Sequence, residues 1–114
     1  MSLLAFIETL NTFPESVTFE KTMSLIESKY NFTETEFSNG DVNNAVGQNN
    51  GSCKIFAFAR LNELTEQQTL QCFGDYYRVD VLGNPDGDDH QNIRNFMVHG
   101  WPGVRFEGDA LVVK

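Results

Sequence analysis

The sequence predicts an α+β domain that is mainly helical, and three observations support this class. Forty per cent of the 114 residues are hydrophobic, which argues against disorder and supplies one core. Apolar residues recur chiefly at helical spacing, whereas two-residue alternation is confined to short stretches. Prolines and glycine-containing turns separate these segments. We expect a single domain over residues 1–114, with about five helices around a central buried helix and a small antiparallel sheet.

The most apolar stretch, residues 51–59, is predicted to be the central helix. Gly51 permits a sharp entry and Ser52 can cap the first turn, so that the helix covers residues 53–62. A buried strand also fits a short apolar run, but two alanines and a single β-branched residue, Ile55, favour a helix. Apolar side chains on nearly all of its faces require neighbours on several sides.

Two helices are predicted before this segment. Ser2 can cap a first helix that extends to Thr12, and no polar leader for an export machine is therefore expected ahead of it. Pro14 interrupts the pattern, and Ser16 or Thr18 can cap a second helix. The inward stripe of this second helix is predicted to comprise Phe19, Met23, Ile26 and Tyr30.

A polar region with strand and turn signals connects the second helix to the central one. Alternation over residues 30–37 predicts a short edge strand, and Asn39-Gly40 predicts a turn. Residues 41–51 are predicted to form a polar loop. Its length makes the loop a candidate for function, although a connector held by asparagine hydrogen bonds is the favoured interpretation.

Two more helices are predicted beyond the central one. Thr65 and Gln68 form a capping box at the start of a long helix that ends at Pro85. Asp88 or Asp89 can cap a further helix through residue 98, and Gly100 is predicted to end it. The inward residues are expected to be Leu70, Phe73, Tyr77 and Val81 in the first of these helices, and Ile93, Phe96 and Met97 in the second.

The C-terminal segment has the pattern of a β-hairpin. Residues 104–106 and 110–113 are two short stretches rich in Val and Phe or Leu on either side of Gly108-Asp109. Their strands can pair with the strand at residues 30–37, which would complete the small antiparallel sheet. Between the last helix and this hairpin, Trp101 is predicted to cover the core.

The charge and cysteine content exclude several classes of function. The net charge is −8, from sixteen acidic and eight basic residues, and the basic residues form no stripe. We therefore expect neither a nucleic acid nor an anionic membrane as a partner. Cys53 and Cys72 lie in predicted helices outside any Cys-x-x-Cys pair, which indicates buried reduced thiols. With neither a signal peptide nor a membrane span in the sequence, these features predict a cytoplasmic protein.

The acidic turn at residues 86–90 contains the residue types of a metal site, but it does not match a calcium loop. In a loop that starts at Asn84, the sixth position is Asp89 instead of glycine and the twelfth is Asn95 instead of glutamate. Capping of the following helix explains the same acidic residues. No metal ion or other cofactor is therefore predicted.

The most polar predicted helix carries the best candidate site. His90 and Arg94 are four residues apart and share a helix face, with polar neighbours at Gln91, Asn92 and Asn95. Packing of this face against Tyr76, Tyr77, Arg78 or Asp80 would create a histidine pocket with a carboxylate to orient the imidazole, as in a general base. A hydrogen-bond network that locks two helices together is the favoured alternative.

Several long strings of residues resemble one known family. They are NGSCKIFAFA at residues 50–59, CFGDYYR at 72–78 and DHQNIRNF at 89–96, together with Gly100-Trp101. In these strings, and over nearly its whole length, the chain resembles the HopJ type III effector family. The resemblance implies a bacterial protein of a family named after effectors that plant pathogens deliver by type III secretion. It implies no reaction and no catalytic residue.

We therefore expect a non-catalytic binding or interaction protein whose partner is an unidentified protein or small molecule. The candidate binding residues are Asp86, Asp88, His90, Asn92, Arg94 and Arg78. The alternative is a small enzyme in which His90 is the general base, Asp80 or Asp89 orients it, and Tyr76 or Arg78 contacts the substrate.

Overall fold

The apolar run at the centre of the sequence forms helix α3, Asn50–Leu61. The structure is a computed structural model that describes residues 2–114. A helix is confirmed over the strand alternative, but it begins three residues earlier than predicted, and Ser52 does not cap it. Asn49 precedes the first turn in a left-handed conformation (φ 52°), and its side-chain amide donates to Asn44 Oδ1 at 2.7 Å. A hydrogen bond to a neighbouring element therefore fixes the start of the helix.

Helix α3 supplies the centre of the core because two of its phenylalanines contact different sets of aromatic rings. Phe58 packs edge-on against Phe6 and Tyr30, with ring centroids 5.8 and 5.9 Å away. Each large side chain that is fully buried contributes on the order of 2 kcal/mol, and these contacts join the N-terminal segment to the core. Phe56 contacts rings from the other segments at centroid distances of 5.0–6.4 Å: Phe37, Phe73, Phe96 and Trp101.

Helices α1 (Leu3–Thr12) and α2 (Phe19–Lys29) form the N-terminal part of the fold. Ser2 caps α1 as predicted, and Thr18, one of the two predicted candidates, caps α2. The side-chain oxygen of each cap residue accepts a backbone N–H of the first turn at 3.1 Å. A 3-10 turn at Pro14–Ser16 separates the helices. All four residues of the predicted stripe face the core. Ile26 and Tyr30 are buried and Phe19 and Met23 are half-buried against it, while Thr22 and Leu25 widen the buried face.

The strands form two small antiparallel sheets. In the first, β1 (Tyr30–Phe32) pairs with β5 (Leu111–Val113). In the second, β2 (Phe37–Asn39) lies between β3 (Val42–Asn44) and β4 (Val104–Phe106). The predicted α+β class is confirmed, whereas the predicted hairpin is wrong because β4 and β5 take partners in different sheets.

The chain leaves one sheet for the other at residues 33–36, which were predicted to continue a single strand. Thr35 is buried there, and its hydroxyl donates to Thr33 O at 2.8 Å, a local bond of the kind that competes with strand pairing. The predicted loop at residues 41–51 is also partly wrong, since it contains β3. The buried Asn44 side chain donates to Phe37 O at 3.3 Å and so ties β3 to β2.

Two helical segments replace the single helix predicted to end at Pro85. The capping box of Thr65 and Gln68 is confirmed, but α4 (Glu66–Gln71) ends early and a π-helix, Tyr76–Val81, follows. Gly74 between them has φ +63°, and a Cβ there would lie 2.7 Å from the backbone nitrogen of Phe19. The helix therefore breaks where the chain passes close to α2. The residues predicted to face inward are buried nonetheless: Leu70, Phe73, Tyr77 and Val81.

Helix α5 (Gln91–His99) ends at Gly100 as predicted. The predicted caps are wrong, because His90 occupies the N-cap position in a left-handed conformation (φ 50°) and, in the described chain, no side chain caps this helix. The inward prediction for Met97 is also wrong, since its side chain is 44% exposed. The buried residues of α5 are Asn92, Ile93 and Phe96.

Trp101 covers the core as predicted. Its ring packs edge-on against Phe96, with centroids 5.1 Å apart, and its Nε1–H donates to Leu64 O at 3.2 Å. The guanidinium group of Arg60 lies 5.2 Å from the indole centroid, so a cation–π contact covers the ring on the solvent side.

Candidate functional site

A cavity of about 370 Å³ opens where the start of α2, the start of α3, the π-helix and the start of α5 come together. Three of the predicted site residues line it: His90, Tyr76 and, from the buried side, Asn92. Four elements that are distant in sequence thus meet at one concave surface. The full lining consists of Phe19, Val42, Asn49, Gly51, Ser52, Phe73, Tyr76, His90, Gln91, Asn92 and Ile93.

His90 is held at the cavity by two carboxylates. Its Nε2 lies 3.0 Å from Asp80 Oδ2 and 3.9 Å from Asp89 Oδ2, and its side chain is 28% exposed. In the neutral imidazole, the Nε2–H donates to Asp80 and the lone pair resides on Nδ1. The sequence left Asp80 and Asp89 as alternative orienting groups, and Asp80 is the one within hydrogen-bond distance.

The π-helix brings Tyr76 and Asp80 to His90 together. The Tyr76 and His90 ring centroids are 5.2 Å apart with planes inclined by 36°, while Asp80 contacts the imidazole nitrogen. Such π-helical segments are rare and frequently occur at functional sites. Two residues that the sequence analysis named as possible neighbours of His90 therefore contact it.

Phe19 forms another wall of the cavity, a role that the sequence analysis missed. Its ring lies 5.1 Å from that of Tyr76, and the two planes are inclined by 68°. The Phe19 ring also lies against α3, where a Cβ on Gly51 would come within 2.8 Å of Phe19 Cζ. A glycine at the start of α3 thus allows the ring to approach the helix backbone closely.

The N-termini of two helices also reach the cavity. Helix α3 contributes Gly51 and Ser52, and α5 contributes Gln91 and Asn92. In the described part of the chain, no side chain caps either helix. Because the first N–H groups of a helix have no intrahelical acceptor, both helix starts offer hydrogen-bond donors at the cavity.

A buried asparagine network supports one side of the cavity. Asn92 exchanges side-chain hydrogen bonds with Asn44 at 3.0 and 3.1 Å, and Asn39 Nδ2 donates to Asn92 O at 2.7 Å. Asn49 joins the network through Asn44 Oδ1. Asn92 was predicted to share an exposed binding face, but it is only 6% exposed because these bonds hold it inside. The sequence predicted that asparagine hydrogen bonds hold the connector at residues 41–51, and the bonds made by Asn44 and Asn49 confirm this.

Comparison with known proteins identifies the family. Residues 3–111 match the family profile described as HopJ type III effector protein. The chain belongs to the HopJ family. Its fold is similar to the crystal structure of VPA0580, a protein of unknown function, with a TM-score of 0.98 and 54% sequence identity over 100% of this chain and 95% of that chain. No curated protein matches the sequence.

In this HopJ family member, Arg94 does not line the cavity and instead closes the turn before α5. Its Nε donates to Asp89 O at 2.6 Å, its Nη1 donates to Pro85 O at 3.3 Å, and its Nη2 pairs with the Asp89 carboxylate. The hydrogen bond from Arg94 is the main reason that the pKa of Asp89 lies below its usual value. Arg94 thus shapes the turn that ends at His90.

Arg78, Asp86 and Asp88 also lie outside the cavity lining. Arg78 Nη1 donates to Gln71 Oε1 at 2.8 Å and to Pro14 O at 3.1 Å, so that it joins the π-helix to the connection between α1 and α2. Asp86 and Asp88 are exposed in the turn before α5. The candidate face predicted from the sequence therefore divides into a cavity around His90, an ion-paired turn and a separate anchor at Arg78.

The two cysteines of this HopJ protein are buried and free, as predicted. Burial raises the pKa of Cys53 to about 11, against the smaller opposing effects of a hydrogen bond to Thr35 and the charge of Lys54. Burial likewise raises the pKa of Cys72 to about 12. Neither sulfur is a thiolate near neutral pH, so neither has the character of a nucleophile.

Residues 2–114 of this HopJ protein lack two further features. Within that range, no group of three or more His, Cys, Asp or Glu side chains is arranged to hold a metal ion. None of the helices in the same range combines the length and the apolar character that a membrane crossing requires.

Proposed function

We propose that this HopJ family member is a binding protein whose partner is a small molecule, held in the cavity beside His90 without covalent chemistry. The observation that supports the proposal is the cavity itself, about 370 Å³ with aromatic and polar lining. Ligand sites in proteins are concave, typically of roughly 300–1,000 Å³, and combine apolar walls with a few placed polar groups. The cavity has this size and this composition.

The lining residues indicate how a ligand would be held. The rings of Phe19, Phe73 and Tyr76 offer apolar surface for a flat part of the ligand. His90, Ser52 and the first N–H groups of α3 and α5 supply directional hydrogen bonds. Among the described residues, no Lys or Arg lines the cavity, so we expect shape and hydrogen bonding to outweigh ion pairing.

Ligand-detected NMR with a metabolite library, followed by titration of each hit, tests this proposal. Because they remove cavity walls, His90→Ala and Tyr76→Ala are each expected to weaken binding by about tenfold or more. His99→Ala is the matched control, since His99 is the other histidine and lies at the far end of α5. Thermal unfolding of each variant checks that the fold is kept. Hits that bind both cavity variants as well as the wild type would contradict the proposal.

A second candidate function is proton transfer, and the 3.0 Å contact between His90 and Asp80 favours it. With the Nε2–H donated to Asp80, the lone pair on Nδ1 makes neutral His90 a general base, and Tyr76 would contact the substrate. Incubation of each hit in D₂O tests this role, because an activated C–H group would exchange and the exchange would stop in His90→Gln. If the hits bind but none of them shows C–H exchange or turnover, proton transfer would be contradicted and only the binding role would remain.

We further propose that the protein acts in the bacterial cytoplasm. The net charge of −8 without a basic stripe gives the chain no attraction to anionic membrane surfaces, which is consistent with this location. Export is the competing location, supported by the type III effector description of the family. A reporter fused to the full chain would be compared in a strain with an active type III system and in a secretion-deficient strain. Retention in both supports the cytoplasm, whereas release from the active strain alone would overturn it.

A further inference from the structure

We propose a second binding site in this protein, for the head group of a small organic cation such as an alkylammonium ion. The site is a separate cavity of about 240 Å³ next to the one beside His90. It is lined by Thr18, Phe19, Glu20, Phe73, Asp75 and Tyr76. The inference does not depend on the ligand proposed for the first cavity, although the two cavities share their aromatic residues.

Aromatic rings form two walls of this second cavity. Phe19 and Tyr76 have centroids 5.1 Å apart and planes inclined by 68°, so the walls meet at an angle. Tyr76 is 41% exposed, which leaves its ring accessible from solvent. Cations are attracted to the faces of aromatic rings, and sites for alkylated ammonium groups commonly use several such rings set at an angle to each other.

The charged groups of the lining are both carboxylates. Glu20 and Asp75 are exposed at the mouth of the cavity, and none of the six lining residues is a Lys or Arg. A cation would gain from both acids, whereas an anion would be repelled by them. A neutral molecule of the same shape would gain only the apolar contact, so the lining selects for positive charge.

Positive groups next to the lining oppose a cation, and they are already engaged: His90, whose ring contacts Tyr76, is paired with Asp80 at 3.0 Å, and the other two are Arg78 and the start of α2. Arg78 Nη2 lies 3.9 Å from Asp75 Oδ1, but the guanidinium group is held mainly by the carbonyl oxygens of Pro14 and Val17 and by Gln71. The start of α2 carries partial positive charge, which Thr18 reduces by accepting the N–H of Lys21 at 3.1 Å. The two carboxylates and the overall charge of −8 leave the region favourable to cations.

Titration with choline tests the proposal, with 3,3-dimethyl-1-butanol as its uncharged isostere. At constant ionic strength, choline is expected to shift the amide NMR signals of residues 18–20 and 73–76 in a saturable way, with an affinity in the millimolar range. The affinity of the isostere is expected to be lower than that of choline by about fivefold or more, because it lacks the cation–π and carboxylate attraction.

The double variant Glu20→Gln, Asp75→Asn is expected to lower choline affinity by about fivefold or more. Both positions are exposed, so the fold should persist, and the amide spectrum verifies it. Glu15→Gln is the matched control, because Glu15 is an exposed acid of the preceding 3-10 turn that does not line the cavity. Equal binding of the isostere, unchanged affinity in the double variant, or shifts confined to the amides around His90 would each overturn the second site.

Discussion

The imidazole of His90 and the carboxylate of Asp80 are joined by a 3.0 Å contact between Nε2 and Oδ2, although different elements carry the two residues. Asp80 belongs to the π-helix, and His90 occupies the N-cap position of α5. The contact therefore closes the turn region between these elements. It also fixes which imidazole nitrogen faces a hydrogen-bond acceptor.

We predict that neutral His90 carries its proton on Nε2, because a carboxylate can only accept a hydrogen bond. Long-range ¹H–¹⁵N correlation spectra above the titration range of His90 would show this tautomer directly. Asp80→Ala removes the acceptor, and the Nδ1–H form is then expected to become detectable. Asp86→Ala is the control, since Asp86 is an exposed acid in the same turn region. A native spectrum dominated by the Nδ1–H form would contradict the prediction.

The ion pair between Arg94 and Asp89 leads to a second prediction, on the pKa of Asp89. Arg94 lowers this pKa chiefly by a hydrogen bond, so Arg94→Gln should return it toward its ordinary value of 3.8. Since the folded pKa is lowered, the pair stabilises the fold above pH 3.8, and the effect is lost as the pH falls through the folded value. Carboxylate ¹³C titration measures the change.

The matched control for this titration is Arg105→Gln. Arg105 is an exposed arginine of β4, remote from Asp89 in sequence, and its replacement should leave the pKa of Asp89 unchanged. If Arg94→Gln also left it unchanged, some other group would have to be responsible for the lowered pKa.

Local signals in the sequence were sufficient to predict several parts of the fold. The caps at Ser2 and Thr18 and the capping box at Thr65 depend on residues at most three positions away, and all three are present. The apolar run of α3 likewise needed cover on most sides, and the core provides it. These features follow from short-range geometry and burial, which a single sequence records.

The errors arise where a distant contact decides the local structure. Gly74 breaks the predicted long helix because Phe19, far away in sequence, leaves no room for a side chain. The break produces the π-helix that brings Tyr76 and Asp80 to His90. The sequence could therefore predict a pocket at His90 only on the condition that these segments pack against each other. Phe19 was assigned to the core for the same reason, since its place in the cavity depends on α3.

The buried asparagines account for a third prediction, on stability. Asn92→Ala would remove the buried hydrogen bonds that Asn92 Oδ1 accepts from Asn39 and Asn44 and the one that its Nδ2 donates to Asn44, which should lower the free energy of unfolding by about 2 kcal/mol. Asn43→Ala is the matched control, because Asn43 is exposed in the same strand as Asn44. Its effect should stay within about 0.5 kcal/mol.

Urea unfolding followed by fluorescence of Trp101 would measure both asparagine variants. The midpoint should fall for Asn92→Ala with little change in the dependence on urea, as expected for a loss of stability without a change in the surface exposed. Equal midpoints for the two variants would show that the buried network does not stabilise the fold. Such a result would also weaken the role of Asn92 as a support of the cavity.

The thiols of Cys53 and Cys72 give the last prediction, on pH dependence. Burial raises their pKa values from 9.0 to about 11 and about 12, so at about pH 8 roughly one thiol in a thousand or fewer is ionised in the folded state. A thiol-specific chromogenic disulfide should therefore react with both cysteines only as fast as the protein unfolds. In denaturant, both should react immediately.

The raised pKa values of the two thiols also determine how the free energy of unfolding changes at alkaline pH. A thiol whose folded pKa is raised contributes its full stabilisation below the unfolded value of 9.0, and loses it as the pH rises through the folded value. The free energy of unfolding should thus decline above pH 9.0, and Cys53→Ala should reduce the steepness of that decline because one ionisable group is removed. Rapid labelling of Cys53 in the folded protein at neutral pH would show instead that its thiol is accessible, and would reopen the question of its reactivity.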